Sequence, residues 1–194
     1  ILLDTRSFKS MALPDLRSKE EKEKLEVVGR YMPHPDVSTT LLGDTQWRWL
    51  EHALKEEADV RFIVSSTQIV PDEKGMDEWG NFPHERLRLL QLISEQNASD
   101  TVLLSGNVHF AEISEFSELG SDIYELTASG LTSENINTDY AQAKNSDRVA
   151  GPLAEVNFGV IELDWSESGQ VRVSLIIKDE TGRSRFTEEI SIDR

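Results

Sequence analysis

With 194 residues, 38% of them hydrophobic, the chain has enough apolar material for one domain with a real core, or for most of one. Its 20 Lys and Arg stand against 36 Asp and Glu, a formal net charge of −16, so it lacks the basic surface that nucleic acid or an anionic membrane would need. The count of 0 cysteines excludes a disulfide framework, a thiolate nucleophile and Cys-ligated zinc, and no run of about 18 apolar residues is present to span a bilayer. Such acidity suits a cation-dependent site or a salty medium.

Residues 1–6 (Ile1-Leu2-Leu3-Asp4-Thr5-Arg6) read as a buried strand, with no initiator methionine, signal peptide or helix cap before it. A lone first strand cannot satisfy its backbone groups, so further chain upstream is expected, and with it an apolar edge or face left uncovered here. Residues 15–30 are charged and read as a solvated insertion or a short helix. Asp44 is placed to cap a helix over 45–57, whose Trp47, Leu50 and Leu54 share one face. Residues 61–65 follow as a strand, and 68–82 as a loop. Pro83 suits a first helical turn, and 84–96 presents Leu87, Leu90 and Ile93. Residues 101–104 form the next strand. The order β-α-β-α-β favours parallel pairing with right-handed crossovers.

The last third changes character. A short strand over 123–127 precedes a polar loop over 129–155. From residue 156 the two-residue alternation of Val171, Val173, Leu175 and Ile177, with turns at 166–169 and 179–182, predicts a closing antiparallel meander over 156–194.

Familiar nucleophile and nucleotide motifs are missing. No G-x-S-x-G elbow surrounds Ser105 or Ser129, and no P-loop, G-x-G-x-x-G or H-E-x-x-H occurs. Attention falls on Leu103-Leu104-Ser105-Gly106-Asn107-Val108-His109-Phe110. Here an apolar strand stops at a small-residue turn that carries an amide and an imidazole two apart. Reactive groups collect at the carboxyl ends of strands in α/β sheets. Asn107 and His109 can face one metal or one phosphate; the alternative is a polar strand-end turn with a satisfied histidine. Trp47, Trp49 and Trp79 are expected to pack helices on the sheet rather than stack on substrate. His84 reads as exposed or capping, Arg86 as a loop-fixing partner of Glu85 or Glu78, and Asn97-Ala98-Ser99 as a sequon.

The ordered segments Leu3-Asp4-Thr5-Arg6-Ser7-Phe8-Lys9, Leu42-Gly43-Asp44-Thr45-Gln46-Trp47-Arg48-Trp49-Leu50, Ser65-Ser66-Thr67-Gln68-Ile69, Trp79-Gly80-Asn81-Phe82-Pro83-His84-Glu85-Arg86, Ser105-Gly106-Asn107-Val108-His109 and Ala128-Ser129-Gly130-Leu131-Thr132 resemble the PhoD-like alkaline phosphatase/phosphodiesterase family of metallophosphoesterases. Asn157-Phe158-Gly159-Val160-Ile161-Glu162 is similar to the family's closing strand. The likeness covers nearly the whole chain but only the family's carboxyl half; the upstream G-D-x-x-D and N-H-[DE] ligand motifs are not in this sequence. It implies that residues 1–194 are the carboxyl-terminal portion of one catalytic domain, an α/β (α+β) fold forming part of a four-layer α-β-β-α sandwich. The missing amino-terminal half would be its partner.

Further implications are a multi-metal centre of calcium and iron, a phosphate-ester substrate attacked in line by a metal-activated water or oxide, and an extracellular or periplasmic location. The family's S-G-D-x-H turn supplies metal ligands, which assigns Asn107 and His109 as ligands and His109 as catalytic. Asn107 departs from the family's aspartate, keeping an oxygen donor but losing one negative charge. Weaker metal affinity or an inactivated variant would both fit. Arg6 matches the family's D-x-R and could offer its guanidinium fork to a phosphate; a strand-end ion pair with Asp4 or another acid is the alternative. Set beside phosphomonoester or phosphodiester hydrolysis is a different reading, a degenerate homologue or fragment acting as a binding or structural piece.

Overall fold

The computed structural model describes residues 1–96, 100–132, 138–166 and 169–193. The sequon at 97–99 and residues 167–168 of one predicted hairpin turn lie outside them. A small two-stranded sheet pairs β1 (Leu13–Pro14) with β2 (Tyr31–Met32) around the short helix α1 (Lys19–Lys24). Ser18 and Glu21 close a capping box on α1, and no α1 side chain is buried, as the charged run predicts.

The main sheet has the order β3-β4-β6-β5-β7, from β3 (Arg61–Val64), β4 (Thr101–Ser105), β5 (Ala111–Phe116), β6 (Ile123–Ala128) and β7 (Arg148–Leu153). The pairs β3-β4 and β4-β6 are parallel, whereas β5 joins β6 and β7 antiparallel. Residues 1–3 extend the β3 edge in parallel, bonding backbone to backbone with Phe62 and Val64. The meander is a separate antiparallel sheet of β8 (Asn157–Trp165), β9 (Gln170–Asp179) and β10 (Ser184–Asp193).

Helices α2 (Asp44–Ala53) and α3 (Pro83–Glu95) lie on one face of the main sheet. Trp47, Leu50, Leu89, Leu90 and Ile93 bury themselves against Leu3, Ile63, Leu103 and Ile123. On the other face Val171, Val173, Leu175 and Ile177 of β9 pack against Val102, Ile113 and Leu126. Each fully buried aliphatic or aromatic side chain contributes roughly 1.5–3 kcal/mol. The result is three layers, helix on mixed sheet on meander. No described helix is long and apolar enough to cross a membrane.

Several local expectations need correction. Asp44 is the first helical residue rather than the cap; Gly43, at φ 74°, occupies the cap position and donates its N–H to Thr40 Oγ1. Leu87 is 45% exposed, and Leu89 takes the buried place expected of it. Trp49 is half exposed instead of packed on the sheet, while Trp47 and Trp79 are buried edge to face against each other. Strand β5 lies in a stretch for which no element is expected, and β7 and the short helix α4 (Thr138–Ala141) occur within the predicted polar loop.

Candidate functional site

Four parallel segments, residues 1–3, β3, β4 and β6, end at the same side of the main sheet. Their carboxyl ends carry Asp4 to Arg6, Ser65 and Ser66, Ser105 to His109, and Ser129 with Gly130. Side chains leaving a parallel sheet there line a common crevice. The ends are tied laterally: the Thr5 and Ser66 hydroxyls meet at 2.5 Å, and those of Ser105 and Thr127 at 2.8 Å.

The turn after β4 is conformationally unusual. Asn107 (φ 75°) and His109 (φ 62°) both occupy the left-handed region, which non-glycine residues seldom adopt and which Asn and His tolerate better than most. Two such residues in one short turn store strain that the surroundings must hold. Ser129 holds it. Its hydroxyl accepts the His109 N–H at 2.9 Å and donates to the Phe110 carbonyl at 3.3 Å. Asn157 anchors the next residue, accepting the Gly130 N–H at 3.1 Å. The Asn107 and His109 side chains stay exposed between buried Val108 and Phe110.

The structure brings Arg6 and Asn107 together. Arg6 NH2 donates to Asn107 Oδ1 at 3.4 Å, and Arg6 NH1 forms an ion pair with Asp77 at 2.8 Å. Asn107 Nδ2 in turn reaches the Asp77 carbonyl at 3.4 Å. Lys9 is a second cation on the Asp77 carboxylate. The acid facing Arg6 is therefore Asp77, not Asp4, which instead accepts the Arg6 and Ser7 backbone N–H groups. Sequence reasoning missed Asp77, because one aspartate in an acidic loop carries no periodic or motif signal, and Lys9 stands in the 3–9 segment of the resemblance with no role expected of it.

Beneath this rim lies a buried polar network that the sequence does not announce. Glu112 Oε1 accepts from Gln68 Nε2 at 2.7 Å and from Lys74, and its Oε2 accepts from Arg148 Nε at 2.6 Å. Burial alone would push the Glu112 carboxyl up, but Lys74 and Arg148 more than offset it and hold it below its usual range. Glu125 is fully enclosed and its carboxyl is raised by burial, although it accepts the Ile69 and Val70 N–H groups. Glu78 is pushed up to about 7 by burial, against the pull of Lys74. These contacts make the 68–82 loop an interior structure rather than a surface one. Arg86 fixes it too, through the Ile69 and Val70 carbonyls and Asp72, so its partner is Asp72 instead of Glu85 or Glu78.

Glu85 is committed elsewhere, binding the Leu41 and Leu42 N–H groups and Trp47 Nε1. His84 is half buried, with Nε2 on the Thr39 carbonyl. Asn81, also buried, bonds the Met76 carbonyl.

Chemically, the rim offers a half-exposed guanidinium, an imidazole and an amide, an arrangement able to meet an anion. Among the described residues no group of three or more His, Asp or Glu side chains could hold a metal ion. One imidazole, plus an amide oxygen already accepting from Arg6, does not by itself fit a multi-metal centre.

A family model described as PhoD-like phosphatase matches residues 1–176. A solved structure titled "Structure of PhoD" is similar with a TM-score of 0.61 at 18% identity, over 97% of this chain and 42% of that one. That identity speaks for the fold alone, and this chain spans about two fifths of the solved chain's length. No curated protein matches the chain by sequence.

Proposed function

The chain belongs to the PhoD-like phosphatase family, and on that premise we propose that the whole protein hydrolyses phosphate monoesters or diesters, with this chain forming one wall of the active site. The supporting observation is the convergence of Arg6 and Asn107 at the carboxyl ends of the parallel strands, beside a turn strained to present His109. Arg6 can turn its fork from Asp77 to two phosphate oxygens, because Lys9 stays on Asp77 and leaves no carboxylate unpaired. His109 is this chain's imidazole donor, and Asn107 a neutral oxygen donor. A centre of the calcium and iron kind implied by the resemblance needs further donors beyond the described residues. In this reading the three layers become four when the outer meander face is covered, and the enzyme works outside the cytoplasm.

In the whole protein, His109→Ala is expected to lower turnover of p-nitrophenyl phosphate by roughly 10²-fold or more. Asn107→Asp should preserve or raise it. The 194-residue chain alone should turn over neither this ester nor its bis ester with any added metal. Turnover by the chain alone would remove the need for outside donors, and indifference to His109→Ala would leave only a strand-end histidine.

A non-catalytic relative is the second reading, favoured by Asn107 where the family carries aspartate. It expects the whole protein to bind phosphate esters without turning them over, and Asn107→Asp would restore hydrolysis.

A further inference from the structure

Asn107 and Asp77 line a cavity of about 280 Å³ together with Val28, Arg30, Tyr31, Met76 and Tyr140. We propose that this cavity takes the organic part of the phosphate ester, and that it selects a single flat ring system, aryl or nucleoside, over a bare phosphate or a long acyl chain. The inference rests on the phosphoesterase reading and names the substrate class of that same site.

Three observations carry it. The first is position: Asn107 belongs to both the cavity wall and the Arg6 contact, so a phosphate at Arg6 places its ester substituent toward Tyr31 and Tyr140.

The second is wall chemistry. Two phenol rings, a thioether and a valine offer faces and edges to a ring, through stacking and sulfur–aromatic contact. Among the described residues neither Tyr31 nor Tyr140 has a hydrogen-bond partner for its hydroxyl, so both are available to ring heteroatoms or sugar hydroxyls. Arg30 adds a cation to the wall, and the Asp77 carboxylate that also lines it is paired with Arg6 and Lys9. The volume falls just below the roughly 300 Å³ at which pockets begin to enclose drug-sized ligands. One ring system fits; an extended acyl chain does not.

The third is that the wall is built in advance. The Val28 and Gly29 N–H groups bond the Lys74 carbonyl at 3.2 and 2.8 Å, and the Tyr31 N–H bonds the Gly75 carbonyl at 2.9 Å. A Cβ on Gly29 would lie 1.8 Å from the Gly75 carbonyl oxygen, so only glycine permits this backbone-on-backbone seat. Lys74 is itself locked in the buried network on Glu112. A wall held this way loses little freedom when a ring enters.

The test uses the full-length protein with methyl-labelled methionine, the Met76 signal being assigned by Met76→Leu. Phenylphosphonate should shift the Met76 methyl resonance, and methylphosphonate at equal occupancy should not. Tyr31→Ala and Tyr140→Ala should each weaken phenylphosphonate binding roughly five- to tenfold. Both should raise KM for p-nitrophenyl phosphate at least about fivefold more than they raise the inhibition constant of inorganic phosphate. Phosphate inhibition reports that the variants fold, and Tyr31→Phe and Tyr140→Phe should retain most ring binding. A silent Met76, or alanine variants that weaken both ligands alike, would overturn the cavity assignment while leaving the hydrolytic reading standing. A protein that hydrolyses no phosphate ester yet binds phenylphosphonate at Met76 would overturn the hydrolytic reading, and the cavity would remain a ring-binding site.

Discussion

Glu78 keeps one carboxylate oxygen on the Gly75 N–H, while the other has no partner among the described residues and no access to water. Its carboxyl is raised from 4.5 to about 7, chiefly by burial. A raised folded value means that the native state holds the proton longer than the unfolded chain. The contribution of Glu78 to stability is then greatest below pH 4.5 and is lost as pH rises through about 7. At about 1.4 kcal/mol per unit, the loss is on the order of 3 kcal/mol. Glu78→Gln removes the titration, so urea unfolding of this variant between pH 5 and pH 8 should show a flatter profile than the parent. A profile as steep as the parent's would place the titration elsewhere. Glu112 behaves oppositely because it is paired. Lys74→Met takes one cation from a fully enclosed carboxylate, and loss of about 3–5 kcal/mol is expected in the same unfolding assay. The companion double variant Lys74→Met with Glu112→Leu should recover part of that loss.

Helix α3 and strand β5 show which elements were readable. The face of α3 follows a helical repeat behind Pro83, so its existence and start were plain, although Leu89 rather than Leu87 turned out to face the core. Strand β5 hid itself. Ala111 and Ile113 face the meander while Glu112 and Ser114 are also buried, so no exposed polar face marks the two-residue period. Strand β7 carries Gly151 and Pro152 at a sheet edge, where proline is tolerated but masks the strand signal. The site divides similarly. Arg6, Asn107 and His109 are legible through the motifs of the resemblance; Ser129 stands in its 128–132 segment, but its hold on the turn, like the place of Asp77, is visible only in the fold. Ser129→Ala tests this for the turn. The loss of one accepted backbone bond should cost about 1 kcal/mol, with solvent taking up the exposed N–H. Displacement of the imidazole should lower kcat of the whole protein by as much as roughly 10²-fold, with KM little changed. An unchanged kcat would mean that the strained turn holds itself.

At the scale of the molecule, two apolar cores hold opposite faces of one mixed sheet, and a net charge of −16 works against them from the surface. Exposed ion pairs such as Arg88 with Glu51 and Arg185 with Glu155 are each worth about 0–1 kcal/mol. Added salt weakens such pairs and the general repulsion together, so its net effect shows which dominates. The buried set of Lys74, Glu112 and Arg148 is screened much less and should not decide the sign. With 16 uncompensated negative charges, repulsion is expected to win. Raising NaCl from about 20 to about 200 mM shortens the screening length from roughly 20 Å to roughly 7 Å. A gain on the order of 1 kcal/mol would move Tm upward by roughly 2–4 °C for a chain of this size. Calorimetry at the two salt concentrations reads it directly. A fall in Tm would show that specific surface pairs outweigh the excess acidity. In that case the paired surface charges, rather than the net excess visible in the sequence, set how the stability of this fold responds to salt.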